Sequence, residues 1–296
     1  MRALVTGGVG FVGTNLIKRL LKDGYDVTSV DNYSTGFKKN HQDGCRYYNY
    51  DISSKNTIGI YIDYGSYPVW RDDEYDVIFH MAALARIQPS INDPVKTIEN
   101  NFNSTLNILE YARKNNIEVV YAGSSSKHHG LYGSPYAWSK YGGEELCKLY
   151  SEVYGLNTTI CRFYNVYGSY QIREGTYATV LGIFENQYLN GEPLTVTGDG
   201  EQRRDFTYID DIVDGLIRCI NKNSKANYYE LGTGINYSIN EVADMFNYRK
   251  THVPARPGEY DVTLCDYSKA EKELGYNPKD NLKQYVEQWL EENKWN

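Results

Sequence analysis

The chain has 296 residues, of which 41% are hydrophobic and 23% charged, enough for one large α/β unit or two intimately joined lobes with a sizeable core. A net charge of −7 argues against a nucleic-acid partner, because counterion release needs a basic surface. Five scattered cysteines without CxxC spacing imply reduced thiols, and no apolar run is long enough for a membrane span or a signal segment, so a cytoplasmic setting with no membrane partner is expected.

In chain order, Ala3–Thr6 reads as a buried strand and Phe11–Lys22 as a helix ending near Gly24. Val27–Val30 and Tyr75–His80 are further strands, followed by a helix from Asp93 to Asn115. Glu118–Ala122 is a strand, Pro135–Tyr154 a long helix with Pro in its first turn, and Thr158–Cys161 a strand again. Such alternation predicts a doubly wound parallel sheet with helices on both faces. The pattern then loosens into turns such as Gly191–Pro193 and Gly198–Gly200, a loop at 255–258, and a terminal amphipathic helix over Leu282–Glu292. The division expected is a first domain over 1–165, with 204–233 returning to it, and a smaller interleaved C-terminal lobe over 166–296.

Between the first strand and first helix lies Thr6-Gly7-Gly8-Val9-Gly10-Phe11-Val12-Gly13, which parses either as GxGxxG or as GxxGxxG. Either spacing suits a tight turn, backbone approach to a pyrophosphate, and an anion at a helix N-terminus. Asp31 closes the second strand where a carboxylate would take adenosine ribose hydroxyls. Asn32 and Tyr33 follow it with no arginine for a 2′-phosphate, which favours NAD over NADP.

Tyr136 and Lys140 stand four residues apart at the start of a helix, on one face. A neighbouring ammonium favours the phenolate of a tyrosine whose ordinary pKa is about 10. The strand before this helix ends in Ser124-Ser125-Ser126, at the carboxyl end where open sheets hold ligands. One of these hydroxyls could share a substrate proton with Tyr136, and the residues alone leave open which. No carboxylate or cysteine lies at ligand spacing from the adjacent His128 and His129, so no metal site is expected.

These pieces, with His80–Ala83, Asn100-Asn101, Arg162–Gly168, Gly198–Phe206 and Arg256-Pro257-Gly258, run in one order along nearly the whole chain. Together they resemble the NAD-dependent epimerase/dehydratase family, the extended short-chain dehydrogenases. The resemblance implies a Rossmann-type fold, bound NAD and a nucleotide-diphosphate sugar as substrate. It puts the cofactor on Gly7, Gly10, Phe11, Val12 and Gly13, then on Asp31, Asn32, Ser34, Thr35 and Gly36. Asp51 and Ile52 would flank the adenine, Ala82, Ala83 and Ala85 would line its path, and Asn101, Ser124 and Tyr164 would lie near the nicotinamide end. It makes Tyr136 the base, has Lys140 bind ribose and tune that base, and assigns the catalytic hydroxyl to Ser125. Ser125, Ser126, Asn165, Thr195, Thr197, Arg204 and Arg256 would hold the substrate, the arginines its pyrophosphate.

Dehydratases of the family carry an Asp-Glu pair just after the catalytic hydroxyl, and decarboxylases a Glu; here Ser126 and Lys127 stand there. The resemblance therefore implies a nucleotide-sugar 4-epimerase acting by reversible C4 oxidation. A net 4-dehydrogenase or 4-ketoreductase, or a non-catalytic NAD-binding regulator, are the alternatives. The resemblance also implies a homodimer, through the helices beginning near Asp93 and Pro135.

Overall fold

The computed structural model describes residues 1–54, 74–222, 224–256, 258 and 260–294. Its central sheet has seven strands: β1 (Arg2–Thr6), β2 (Asp26–Asp31), β3 (Cys45–Asn49), β4 (Val77–His80), β5 (Glu118–Ser124), β6 (Thr158–Phe163) and, from the far end of the chain, a strand at Asn227–Leu231. The strand order is 227–231, β6, β5, β4, β1, β2, β3, and every pair is parallel. Runs such as Val77-Ile78-Phe79 are buried throughout, as strands covered on both faces must be.

Helices cover both faces. Residues Leu16, Ile17 and Leu20 of α1 (Phe11–Lys22) pack one face. Ile108, Leu109 and Ala112 of α3 (Pro94–Asn115) pack the other, beside Cys147 and Tyr150 of α4 (Pro135–Tyr154); α2 (Ile87–Asn92) precedes α3. This is a Rossmann-type doubly wound fold, with its order reversing between β1 and β4.

Local chemistry sets the helix that carries the Tyr-Lys pair. The Ser134 side chain accepts from Ala137 N at its start, Pro135 occupies the first turn, and Gly155 (φ 69°) ends it in the left-handed region. Tyr136 is thereby held on the first turn, one strand–turn after Ser124.

The smaller lobe follows β6. It contains β7 (Asn165–Tyr167), α5 (Val180–Leu189), β8 (Leu194–Thr197) and β9 (Arg203–Tyr208); then come α6 (Ile209–Arg218) and β10 (Asn227–Leu231), the seventh strand above. After these come β11 (Asn236–Ser238), α7 (Ile239–Met245), β12 (Lys250–Val253), α8 (Ser268–Leu274) and α9 (Leu282–Glu292). Within the stretch 204–233, α6 and β10 join the large sheet, whereas β9 pairs with β7 and β11 in a separate three-stranded sheet. α8 also packs on the large sheet, through Ala270 and Leu274. The lobe's own core gathers Phe184, Val196, Phe206, Val242 and Trp289. Among the described residues no helix is long and apolar enough to cross a membrane.

Candidate active site

A cleft of about 480 Å3 runs from the end of β2, past the β1–α1 turn, to the β5–α4 turn and the smaller lobe. That is within the range of ligand clefts, roughly 300–1,000 Å3. Gly7, Gly10, Phe11, Val12 and Gly13 line one end with Asp31, Asn32, Ser34 and Thr35, while Asp51 and Ile52 border it.

The glycines there are dictated by contact. Gly7 has φ 71°, and a Cβ on it would stand 2.8 Å from the backbone of Ala82. A Cβ on Gly13 would stand 2.2 Å from the Gly7 carbonyl oxygen. Gly10 caps α1 without any side-chain cap, leaving first-turn N–H groups directed at the cleft. The Asp31 carboxylate accepts from Val9 N (3.1 Å) and Tyr33 N (2.8 Å). Burial nevertheless raises its pKa, so further hydroxyl donors would stabilise its charged form. A bare helix N-terminus for a diphosphate beside a donor-seeking carboxylate for a ribose fits a dinucleotide.

At the other end Tyr136 Oη donates to Ser124 Oγ at 3.4 Å, and Ser126 Oγ donates to the same oxygen at 2.9 Å. Ser124, Ser125 and Ser126 all line the cleft, but the hydroxyl that meets the phenol is Ser124; Ser125 starts the short helical turn and makes no side-chain hydrogen bond among the described residues. Burial pushes the Tyr136 pKa up, opposed by the Ser124 hydrogen bond and by the charge of Arg86.

Lys140 lies one turn along α4, buried, with its ammonium 4.3 Å from the Tyr121 ring centroid. Burial lowers its pKa to about 8, against the charge of Glu144. It is absent from the lining of the cleft, and the cation whose field reaches Tyr136 is Arg86.

Three further expectations meet a different geometry. Asn101 is spent on structure: its Oδ1 accepts from Leu84 N (2.8 Å), and its Nδ2 donates to Leu84 O and to Ser139 Oγ (2.9 Å). Asn100 lines the cleft instead. Gly36 packs beneath Val9, 2.6 Å from a would-be Cβ, and does not line the cleft. Thr195 turns away to Gln187, accepting from its Nε2 at 2.8 Å. Ala82, Ala83, Ala85, Tyr164, Asn165, Thr197, Arg204 and Arg256 do line the cleft; Pro257, between Arg256 and Gly258, lies outside the described residues.

Arg86, Gln202 and Tyr260 also line it, and sequence reasoning overlooked them. Arg86 could have been noticed, since it is the one charge in the run Met81–Ile87. Tyr260 carried no such signal, because only folding brings the segment after Gly258 onto the β5–α4 turn, where His129 stacks on its ring at 4.3 Å.

The turn after the serines has no acid. Lys127 Nζ leaves toward Glu144 Oε2, 3.7 Å away. Behind it Arg162 is buried, gripping Glu144 with Nε (3.0 Å) and Nη2 (2.7 Å) and Glu230 with Nη1 (2.7 Å). His128 Nε2 also meets Glu230, at 2.9 Å. Neither histidine lines the cleft.

A family model described as the NAD dependent epimerase/dehydratase family matches residues 3–232. The chain belongs to that family. It is 34% identical over 314 residues to a Methanocaldococcus jannaschii protein provisionally named a UDP-glucose 4-epimerase, covering 98% of each. It is also 34% identical over 263 residues to the UDP-N-acetyl-alpha-D-glucosaminuronate decarboxylase of Bacillus cytotoxicus, covering 82% of this chain and 78% of the other. Among solved structures it resembles the UDP-glucose 4-epimerase of Thermotoga maritima with UDP-glucose (TM-score 0.87, 27% identity, 99% of each chain). The family comprises NAD-dependent epimerases, dehydratases and decarboxylases of nucleotide sugars, and the chain is an enzyme of that family.

Proposed function

We propose that the protein is a nucleotide-sugar 4-epimerase using NAD. The observation that carries this reading is the composition of the β5–α4 turn: hydroxyls beside Tyr136, and no carboxylate on the turn after them. Water elimination and decarboxylation in this family lean on acids at the positions held here by Ser126 and Lys127. The first is tied to Ser124, and the second points to Glu144 behind the turn.

NAD, when bound, supplies the hydride acceptor and donor that oxidation and re-reduction at one carbon require. Tyr136 takes the C4 hydroxyl proton and later returns it, which needs its phenolate near neutral pH. Burial raises its pKa, and the Ser124 hydrogen bond and the Arg86 charge oppose that rise; the positive charge of bound NAD would oppose it further. Ser124 orients the phenol, and Ser125, with no protein partner among the described residues, is left to meet the sugar hydroxyl. Arg204 and Arg256 hold the substrate diphosphate.

The test is incubation of the holoenzyme with UDP-, GDP-, ADP-, CDP- and dTDP-sugars, read by NMR for inversion at C4. Inversion with no accumulation of free NADH is expected; NADH formed in step with product would sink the reading. Tyr136→Phe should lower kcat by roughly 10²–10⁴-fold with NAD still bound.

A further inference from the structure

Arg86 is a cation with no carboxylate partner among the described residues. It lies between β4 and α2, half-buried, and lines the cleft. Its Nε donates to the carbonyl oxygens of Tyr177 (3.1 Å) and Ala178 (3.3 Å), which fixes one edge of the guanidinium. The two terminal nitrogens have no partner among the described residues, and no carboxylate of those residues pairs with them. An arginine partly withdrawn from water is ordinarily paired, because desolvating its charge alone is costly.

Charge along the cleft points the same way. The only described carboxylates lining it are Asp31 and Asp51, both at the end bordered by β2 and the residues after β3. The other end carries three arginines, Arg86, Arg204 and Arg256. Two of these suffice for a diphosphate. The third is close enough to Tyr136 for its charge to act on the phenol. Tyr260 is a second unmatched group there: its hydroxyl is buried without a partner among the described residues, and it interacts with both Tyr136 and Arg204.

Ring geometry decides which anion Arg86 would meet. In a hexopyranose, C1, which bears the diphosphate, lies across the ring from C4. The exocyclic C6 hangs from C5, next to C4. C3, on the other side of C4, carries a hydroxyl, so the carboxylate that a cation beside the C4 base can meet is one at C6. From this we propose that Arg86 is a subsite for a C6 carboxylate, and that the substrate is a nucleotide-diphosphate uronic acid. The proposal rests on the C4 chemistry above for its placement of the ring.

The experiment is calorimetric titration of the NAD-loaded protein with two matched pairs, UDP-glucuronic acid against UDP-glucose and GDP-mannuronic acid against GDP-mannose. The acid of at least one pair should bind roughly 10- to 100-fold tighter than its neutral partner, as a charge-assisted pair would give. That ratio should fall to near one in Arg86→Met and be partly restored in Arg86→Lys. Equal binding within both pairs, no binding by either acid, or a preference that persists in Arg86→Met would overturn the subsite. If Arg86→Met fails to fold, judged by circular dichroism, the wild-type ratio and Arg86→Lys still decide. NMR on the same samples separates this from the parent reading. Preference for the acid without C4 inversion keeps the subsite and removes the epimerase; inversion of neutral sugars alone does the reverse.

Discussion

At the residue scale, Ser124 and Ser125, two of the three serines before Lys127, stand differently toward Tyr136, and their variants should differ in kind. Ser125→Ala removes a hydroxyl that lines the cleft, and under the proposed function kcat should fall by roughly 10- to 100-fold with little change in its pH dependence. Ser124→Ala removes the hydrogen bond that lowers the Tyr136 pKa. Less phenolate is then present at a given pH, so the rising limb of the pH–kcat profile should move to higher pH. A profile unmoved in Ser124→Ala would assign the orienting role elsewhere. Which serine touches the phenol depends on how the strand end meets the α4 first turn, and counting along Ser124-Ser125-Ser126 does not contain it. Asn101 teaches the same lesson: its motif was legible, but Leu84 and Ser139 take both of its N–H donors, and Leu84 N also donates to its Oδ1.

At the element scale, α4 and the strands beside it are tied by Arg162, which lies between Glu144 of the helix and Glu230 of β10. Arg162→Met would take away the guanidinium between two buried carboxylates, leaving Lys127 Nζ 3.7 Å from Glu144 and His128 Nε2 2.9 Å from Glu230. A loss of about 3–5 kcal/mol in urea unfolding is expected. β4 and α3 are joined by His80, whose Nδ1 meets Thr6 Oγ1 (2.7 Å) and Nε2 meets Thr105 Oγ1 (3.2 Å). Burial lowers the His80 pKa to about 3, from an ordinary value near 6.5. Between those values the unfolded chain binds the proton and the folded one does not, so stability falls as pH falls through 6.5 toward 3. Going from pH 7 to pH 5 should cost about 2 kcal/mol through this group. The acid loss in His80→Gln should be smaller than that of the parent by this amount; identical losses would show that His80 is not the group responsible.

Helices α1, α3 and α4 were readable end to end because caps and apolar spacing agree: Asp93 accepts from Lys96 N, Asn116 and Gly155 close in the left-handed region, and Leu16, Ile17 and Leu20 share a face. β3 was not readable. It is an edge strand whose Arg46, Tyr47 and Tyr48 are only partly covered, so it shows neither a continuous apolar run nor clean alternation. α2 escaped notice because it is only six residues long, with Pro89 in its first turn.

At the scale of the whole molecule, α3 and α4 leave Val95, Trp138, Leu149, Val153 and Tyr154 exposed, with Val153 60% exposed. Such side chains on two adjacent helices suit a second copy of the chain. Sedimentation should give twice the monomer mass, and Leu149→Glu with Val153→Glu should give a monomer that still binds NAD. A monomeric parent at micromolar concentration would remove this expectation.

What the residue order determined by itself was local: the glycine turn, the Asp31 strand end, the caps, and the Tyr136–Lys140 spacing, since each depends on neighbours within a few positions. Only the tertiary structure decided the rest. It brought Arg86 and Tyr260 to the phenol, sent Lys127 back to Glu144, and returned α6, β10 and α8 to the first sheet. Those outcomes come from burial and charge pairing between segments far apart in the chain, where no short-range pattern records which partner a side chain will find.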